Sequence, residues 1–418
     1  MPLDLSRDIV LRWDNPEPAH VALFKQAGIT AVLPSTTEAS FSAAGISTLA
    51  PSEIQFLQQS ELGTAKPGVN VALTNGLWPG IGKPAAVSGR GDETASASIE
   101  PWVDSNGYWI GYLRALYPSR PPVLGYLPDK LGDRAVPFDS LELALIEAWT
   151  AGGNYILAVE PHYRAALLQN EPKATAAWQQ LGRTARWLRE HISLFRQPAL
   201  PIVTALVDSG AATAEISNLL YRRHVSPYLC PAASPPAPDP RRLALVAANL
   251  KRPEPELVKR IMAHAEAGTS VITAALPAQQ WWQSPALKSV RSEPDREFYT
   301  YGKGQVVAYR RPVVDPSEFA LDVIDIITHK SRAVRLWNAL AAIALVTDSP
   351  QKGERLLHVI NYGSPVDTEL QARIQGHFTK AMLLRPDASP VSLQTAKRGT
   401  TTEVFLPEVK RLAVVVFS

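Results

Sequence analysis

Asp8-Ile9-Val10-Leu11-Arg12-Trp13-Asp14-Asn15-Pro16 is the stretch on which the fold turns. Residues 8–13 read as a short buried strand, which stops at Asp14-Asn15-Pro16 because proline cannot continue the ladder. An amphipathic segment from Pro18 to Gln26 follows and ends at Gly28, a residue suited to close a helix. Ile29 to Leu33 is then a second apolar run. Strand, helix, glycine, strand is the βα unit of a parallel sheet.

The rhythm recurs. Ile46 to Leu49, Val69 to Leu73, Val123 to Leu127 and Tyr155 to Val159 supply further strands, and Leu141 to Ala151 has helical spacing broken by Gly152-Gly153. A long helix over Ala174 to Phe195 precedes a boundary at Pro198 and Pro201. About six strands lie before that boundary, which predicts a (β/α) barrel short of its full complement of strands. Polar residues stand repeatedly where a strand gives way to a loop: Asp14, Asn75, Asp129 and Glu160. In βα architectures those strand ends share one face, and active sites sit there. Each could equally cap the helix that follows.

Beyond Pro201 a second βα series starts, with strands Ile202 to Val207, Leu243 to Ala248, Val271 to Ala274 and Gln305 to Tyr309. Its helices are Ala212 to Arg223, Glu254 to Ala267 and Pro316 to Thr328, and a proline-rich loop runs from Pro227 to Pro240. From Val334 the period changes to short alternating segments, Leu356 to Ile360, Met382 to Leu384, Thr402 to Leu406 and Leu412 to Phe417, the pattern of a β-sandwich. The reading is α/β overall, with a barrel-like region at 1–198, an open α/β domain at 199–331 and a small sandwich at 332–418.

Composition narrows the function. A net charge of +3 over 418 residues, with no run of consecutive Lys or Arg, argues against a nucleic-acid partner. No apolar run is long enough to span a membrane. The N-terminus shows no basic-then-apolar export pattern, yet 36 prolines and 10 tryptophans fit an aromatic-lined periplasmic or extracellular protein. The single cysteine, Cys230, forms no internal disulfide and reads as an inert or merely exposed thiol in a loop; no His or Cys spacing suggests a metal, so no metal or cofactor is expected.

The order of barrel-like series, open α/β domain and sandwich resembles family-42 β-galactosidases and allied glycoside hydrolases. Leu243-Ala244-Leu245-Val246, then Glu256 to Gly268 and Thr269-Ser270-Val271-Ile272-Thr273, resembles the glutamine-amidotransferase-like domain those enzymes use for trimerisation. Gly302-Lys303-Gly304-Gln305-Val306-Val307 and Leu357-His358-Val359-Ile360-Asn361-Tyr362 resemble its closing strand and the start of the sandwich. The resemblance implies a glycosidase and a homo-oligomer assembled through the middle domain. The chain departs from the family where the acid/base should stand: its sole Asn-Glu pair, Asn170-Glu171, precedes a proline in a polar loop. Cys230 precedes the second strand read in the middle domain, so glutamine hydrolysis is not expected.

The catalytic residues must therefore come from this chain alone. Glu100 to Trp109 packs two carboxylates, an amide and three large aromatics into one short segment. Sugar rings offer C–H faces for stacking and hydroxyls for hydrogen bonds, which such a segment would meet. It could instead staple a loop to the core, with Asp104 capping the next helix. Glycoside hydrolysis needs paired carboxyl groups, about 5–5.5 Å apart for retention and roughly 6.5–9.5 Å for inversion. Glu160, behind an apolar strand, and Glu100, beside Trp102, are the expected pair, with Asp104 as the substitute for either. Trp13, Trp78, Trp102 and Trp109 would stack on sugar, and Asp14, Asn75, Asn106, Asp129 and His162 would bind hydroxyls. A non-catalytic carbohydrate-binding or assembly protein on a degenerate hydrolase scaffold is the alternative.

Overall fold

Strand β1 (Val10–Arg12) pairs in parallel on both sides, with β2 (Ala31–Leu33) close in sequence and with β9 (Asn154–Ala158) far from it. The computed structural model describes residues 3–33, 39–74, 79–81, 103–126, 136–208, 211–248, 250, 253–274, 280–313, 316–326, 332–339, 341–363 and 370–418. They divide into two compact units, residues 1–198 with 336–418, and residues 199–335.

In the first unit α1 (Val21–Gln26) links β1 to β2, and α2 (Ala39–Ala43) precedes β3 (Ser47–Thr48). Then come β4 (Ile54–Leu57), β5 (Asn70–Leu73) and a two-stranded antiparallel ribbon of β6 (Gly80–Ile81) and β7 (Val103–Asp104). Helix α3 (Gly107–Leu116), β8 (Val123–Gly125), α4 (Ser140–Thr150), β9, α5 (Pro161–Leu168) and α6 (Pro172–Glu190) complete the series.

Every ladder among β1–β5, β8 and β9 is parallel, and their order in the sheet is β3-β2-β1-β9-β8-β5-β4. That order is the chain order wrapped on itself, with the last strand returning to the first, as in a barrel. Among the described residues no ladder joins β3 to β4, so the curled sheet stays open at that seam. Its two edges face one core, because Leu49 beyond β3 and Ile54 on β4 pack with Val10, Ala31, Leu33, Ala72, Val123 and Ile156. The expected partial barrel is present, with seven strands rather than six. The additional strand is β4, which follows β3 through a single turn of 3-10 helix at Pro51–Glu53 instead of a crossover helix.

Two glycines permit close packing. Gly28 adopts φ +70° where α1 ends, with the Ala185 side chain of α6 3.3 Å from where a Cβ would lie. Gly125 leaves room for the Phe56 ring, whose nearest carbon would lie 2.9 Å from a Cβ there. Helix α4 is buried along its whole length rather than on one face, since it is covered by β9, by α6 and by a strand of the C-terminal segment. It carries Glu142 and Glu147 into that cover.

The second unit holds β10 (Val203–Val207), α7 (Ala211–Arg222), β11 (Tyr228–Pro231), β12 (Ala244–Val246), α8 (Pro255–Ala267), β13 (Ser270–Ala274), β14 (Lys288–Ser292), β15 (Arg296–Tyr301), β16 (Gly304–Tyr309) and α9 (Pro316–Ile326). Its sheet runs β11-β10-β12-β13-β16-β15-β14, parallel up to β16 and antiparallel beyond. Cys230 lies on β11 and not in a loop; it is buried, and burial pushes its thiol up to about 12. The proline-rich stretch still forms a strand because β11 is an edge, where a missing amide costs least.

The C-terminal strands are β17 (Val334–Trp337), β18 (Ala342–Asp348), β19 (Arg355–Asn361), β20 (Leu370–Gln375), β21 (Ala381–Arg385), β22 (Ala388–Leu393), β23 (Ala396–Arg398), β24 (Thr401–Leu406) and β25 (Leu412–Phe417). They make one four-stranded sheet, β17-β20-β24-β23, and one five-stranded sheet, β18-β19-β25-β21-β22.

Candidate functional site

All strands of the curled sheet end on one side, and the C-terminal ends of β1 and β9 lie side by side there because Arg12 is in register with Ala158. Glu160 follows β9 by two residues and enters α5 as its N-cap, with Pro161 at the first helical position fixing the turn. Its residue surface is 5% exposed. Oε2 accepts a hydrogen bond from the Val136 amide at 3.2 Å and lies 3.1 Å from His162 Nδ1. Among the described residues no hydrogen bond reaches Oε1. Burial raises the Glu160 carboxyl above the usual range, against the opposing pull of the Val136 amide and of His162. His162 is 39% exposed and stacks on Phe138. A cavity of about 10 Å³, lined in part by Ala158, Glu160 and Tyr163, adjoins the carboxyl, space for about one water.

The other expected residues divide into three groups. Glu100, Asn75, Trp78, Trp102 and Asp129 lie outside the described residues, as does the side chain of Asp104, whose backbone is part of β7. Asp14 is exposed at the end of β1, where Asn15 takes φ +50° and turns the chain into Pro16. Trp13, Asn106 and Trp109 are buried. Trp13 packs against His20 and Phe24 under the Arg164 guanidinium, and Trp109 against Tyr108 and Tyr112. These rings are held by the protein itself and present no open face. Asn106 sits at the start of α3 beside the Glu147 carboxylate.

Three charged residues received no role from sequence reading. Arg12 stands in an apolar strand, and strand alternation puts it on the inner face with Val10. Glu142 accepts hydrogen bonds from Thr184 Oγ1 at 2.5 Å and Gln180 Nε2 at 3.2 Å, and burial raises its carboxyl. Glu147 is fully buried and pushed up to about 7. The available signal was a charge in an otherwise apolar strand or helix. Among the described residues no group of three or more His, Cys, Asp or Glu is placed to hold a metal, and no helix is long and apolar enough to cross a membrane.

No protein-family profile matches the chain, and no curated protein matches it significantly. Solved structures do. The α-L-fucosidase isoenzyme 2 from Paenibacillus thiaminolyticus aligns with TM-score 0.52 and 10% identity over 75% of this chain and 63% of that one. The β-galactosidase from Bacillus circulans sp. alkalophilus aligns with TM-score 0.52 and 10% identity over 75% and 57%. The β-galactosidase from Rahnella sp. R3 aligns with TM-score 0.50 and 10% identity over 89% and 65%. The chain thus spans less than two thirds of the length of each. The fold is glycoside hydrolase-like: the resemblance to β-galactosidases and allied enzymes holds at the level of architecture, and at this identity architecture is what it conveys.

Proposed function

We propose that the chain is a carbohydrate-active protein that hydrolyses a glycoside at the C-terminal mouth of its curled sheet, with Glu160 as general acid. The observation that carries this reading is the Glu160 carboxyl, buried, raised, anchored through one oxygen and, among the described residues, unpartnered at the other. A general acid must keep its proton near neutral pH and release it to the leaving oxygen, and burial at a strand end supplies the first condition. Glu100 is the proposed second carboxylate, with Asp104 as its substitute, and Asp14 and His162 are the proposed contacts to sugar hydroxyls. Residues 199–331 are proposed to be an amidotransferase-like domain used in homo-oligomer assembly, and 332–418 a β-sandwich, in a protein working in the periplasm or outside the cell.

The test is turnover of a panel of aryl glycosides by wild type, Glu160→Gln and Glu100→Gln. Loss of turnover in both variants, with folding intact, supports the pair; turnover unchanged in Glu160→Gln overturns it. The second reading, a non-catalytic carbohydrate binder on a hydrolase scaffold, draws on the missing family Asn-Glu pair and on the burial of Trp13, Asn106 and Trp109. Sugar binding without turnover in any protein would favour it.

A further inference from the structure

The middle of the curled sheet's inner face is apolar. Val10, Ala31, Leu33, Ile54, Ala72, Val123 and Ile156 form one core, and toward the mouth the same strands also present Arg12, Phe56, Gly125 and Ala158. Arg12 and Phe56 keep part of their surface exposed, whereas Leu33 and Ala158 beside them and the layer beneath are covered. The Arg12 guanidinium lies 5.9 Å from the Phe56 ring centroid. Its Nη1 is buried, and among the described residues it has no hydrogen-bond partner and no carboxylate pairs with the guanidinium. The acidic groups nearest in the chain are otherwise placed: Asp8 accepts a hydrogen bond from Thr30, and Asp14 is exposed.

A guanidinium cannot shed its proton, so a buried N–H of this kind retains its full demand for an acceptor. A fold that kept it for packing alone would be better served by an apolar side chain, since a buried N–H left without an acceptor is destabilising. We infer that Arg12 determines substrate class, by receiving the anionic group of an acidic sugar, a carboxylate or a sulfate ester, at the inner mouth of the sheet. Planar two-point hydrogen bonding to Arg suits either oxyanion. This rests on the reading of the mouth as a carbohydrate site and adds to it the charge of the sugar.

The experiment is calorimetric titration of the full chain with glucuronate, glucose 6-sulfate and glucose, and with their galacto counterparts. It uses wild type, Arg12→Met and Arg12→Lys. At least one anionic sugar is expected to bind about tenfold or more tightly than its neutral counterpart, the preference vanishing in Arg12→Met and returning in part in Arg12→Lys. Whether carboxylate or sulfate binds better identifies the source of the charge. Equal binding of neutral and anionic sugars, or a preference that survives Arg12→Met, overturns the inference and leaves the carbohydrate site standing. Binding of no sugar at all removes the carbohydrate reading and this inference with it. Thermal melting without ligand is a separate check: Arg12→Met should melt at the wild-type temperature or higher, and a fall of several degrees would show that the guanidinium has a structural partner, which overturns the inference.

Discussion

The Tyr362 hydroxyl donates a hydrogen bond of 2.5 Å to Oε1 of Glu147, joining the end of β19 to the middle of α4 inside the first unit. Both side chains are buried, and Oε2 of the carboxylate has no partner. Burial is the largest influence on Glu147 and raises it to about 7 from 4.5; Tyr362 and the Asn106–Gly107 amides pull the other way. Between those two values the folded chain holds a proton that the unfolded chain has lost. Stability from this group is therefore complete below about pH 4.5, falls as pH rises toward 7, and is flat above it.

Glu147→Gln should remove that slope. Urea unfolding at pH 5 and pH 8 is expected to differ by up to about 3 kcal/mol more in wild type than in the variant. An identical pH dependence in the two proteins would show that Glu147 does not hold the extra proton. Tyr362→Phe removes the donor that favours the charged form, so it should move the falling limb to higher pH.

On the proposed reading of Glu160 as general acid, Glu160→Gln should fold normally and lose about 10²- to 10⁴-fold in glycoside turnover. His162 favours the charged form of Glu160. His162→Ala should therefore raise the pKa of the acid further and extend the basic limb of the pH–rate profile upward. A basic limb that stays in place would show that another group limits the rate at high pH.

The parallel βα rhythm was readable because β1, β2, β5, β8 and β9 are short apolar runs bounded by Gly, Pro or Asn. Strand β4 was hidden because Ile54-Gln55-Phe56-Leu57 comes with no helix before it, so the periodicity carried no change to detect. Strand β11 was hidden by prolines that an edge tolerates. The position of Glu160 at a strand end was legible because an apolar run stops directly before it, where β9 gives way to α5. The roles of Trp13, Asn106 and Trp109 were not, because a ring that stacks on sugar and a ring that stacks on Phe24 or Tyr112 have the same sequence signature. Arg12 was passed over because a buried Nη1 without a partner among the described residues shows only in three dimensions.

Cys230 should be silent to thiol reagents in the folded protein. Burial is the main cause of its raised pKa, only partly offset by Arg242, so at pH 8 almost none is thiolate. Ellman's reagent is expected to report no thiol in native buffer and one per chain in guanidinium chloride. Rapid labelling of the native protein would mean that β11 leaves the edge of its sheet readily.

Gly125 and Phe56 should prove energetically coupled. A Cβ at residue 125 would lie 2.9 and 3.2 Å from two Phe56 ring carbons and 3.4 Å from the Ala72 Cβ. Phe56 cannot retreat by moving its backbone, because it is in register with Ala72 in the β4–β5 ladder. Turning the ring would displace it from Arg12. Gly125→Ala is thus expected to cost about 1–3 kcal/mol, an overpacking penalty larger than the small gain from a stiffer unfolded chain. Phe56→Leu removes the ring edge that the new methyl meets, so Gly125→Ala should cost clearly less in the Phe56→Leu background than in wild type. A double-mutant cycle by urea unfolding measures this directly, and strict additivity would place the two residues out of contact and dissolve the inner layer on which Arg12 rests.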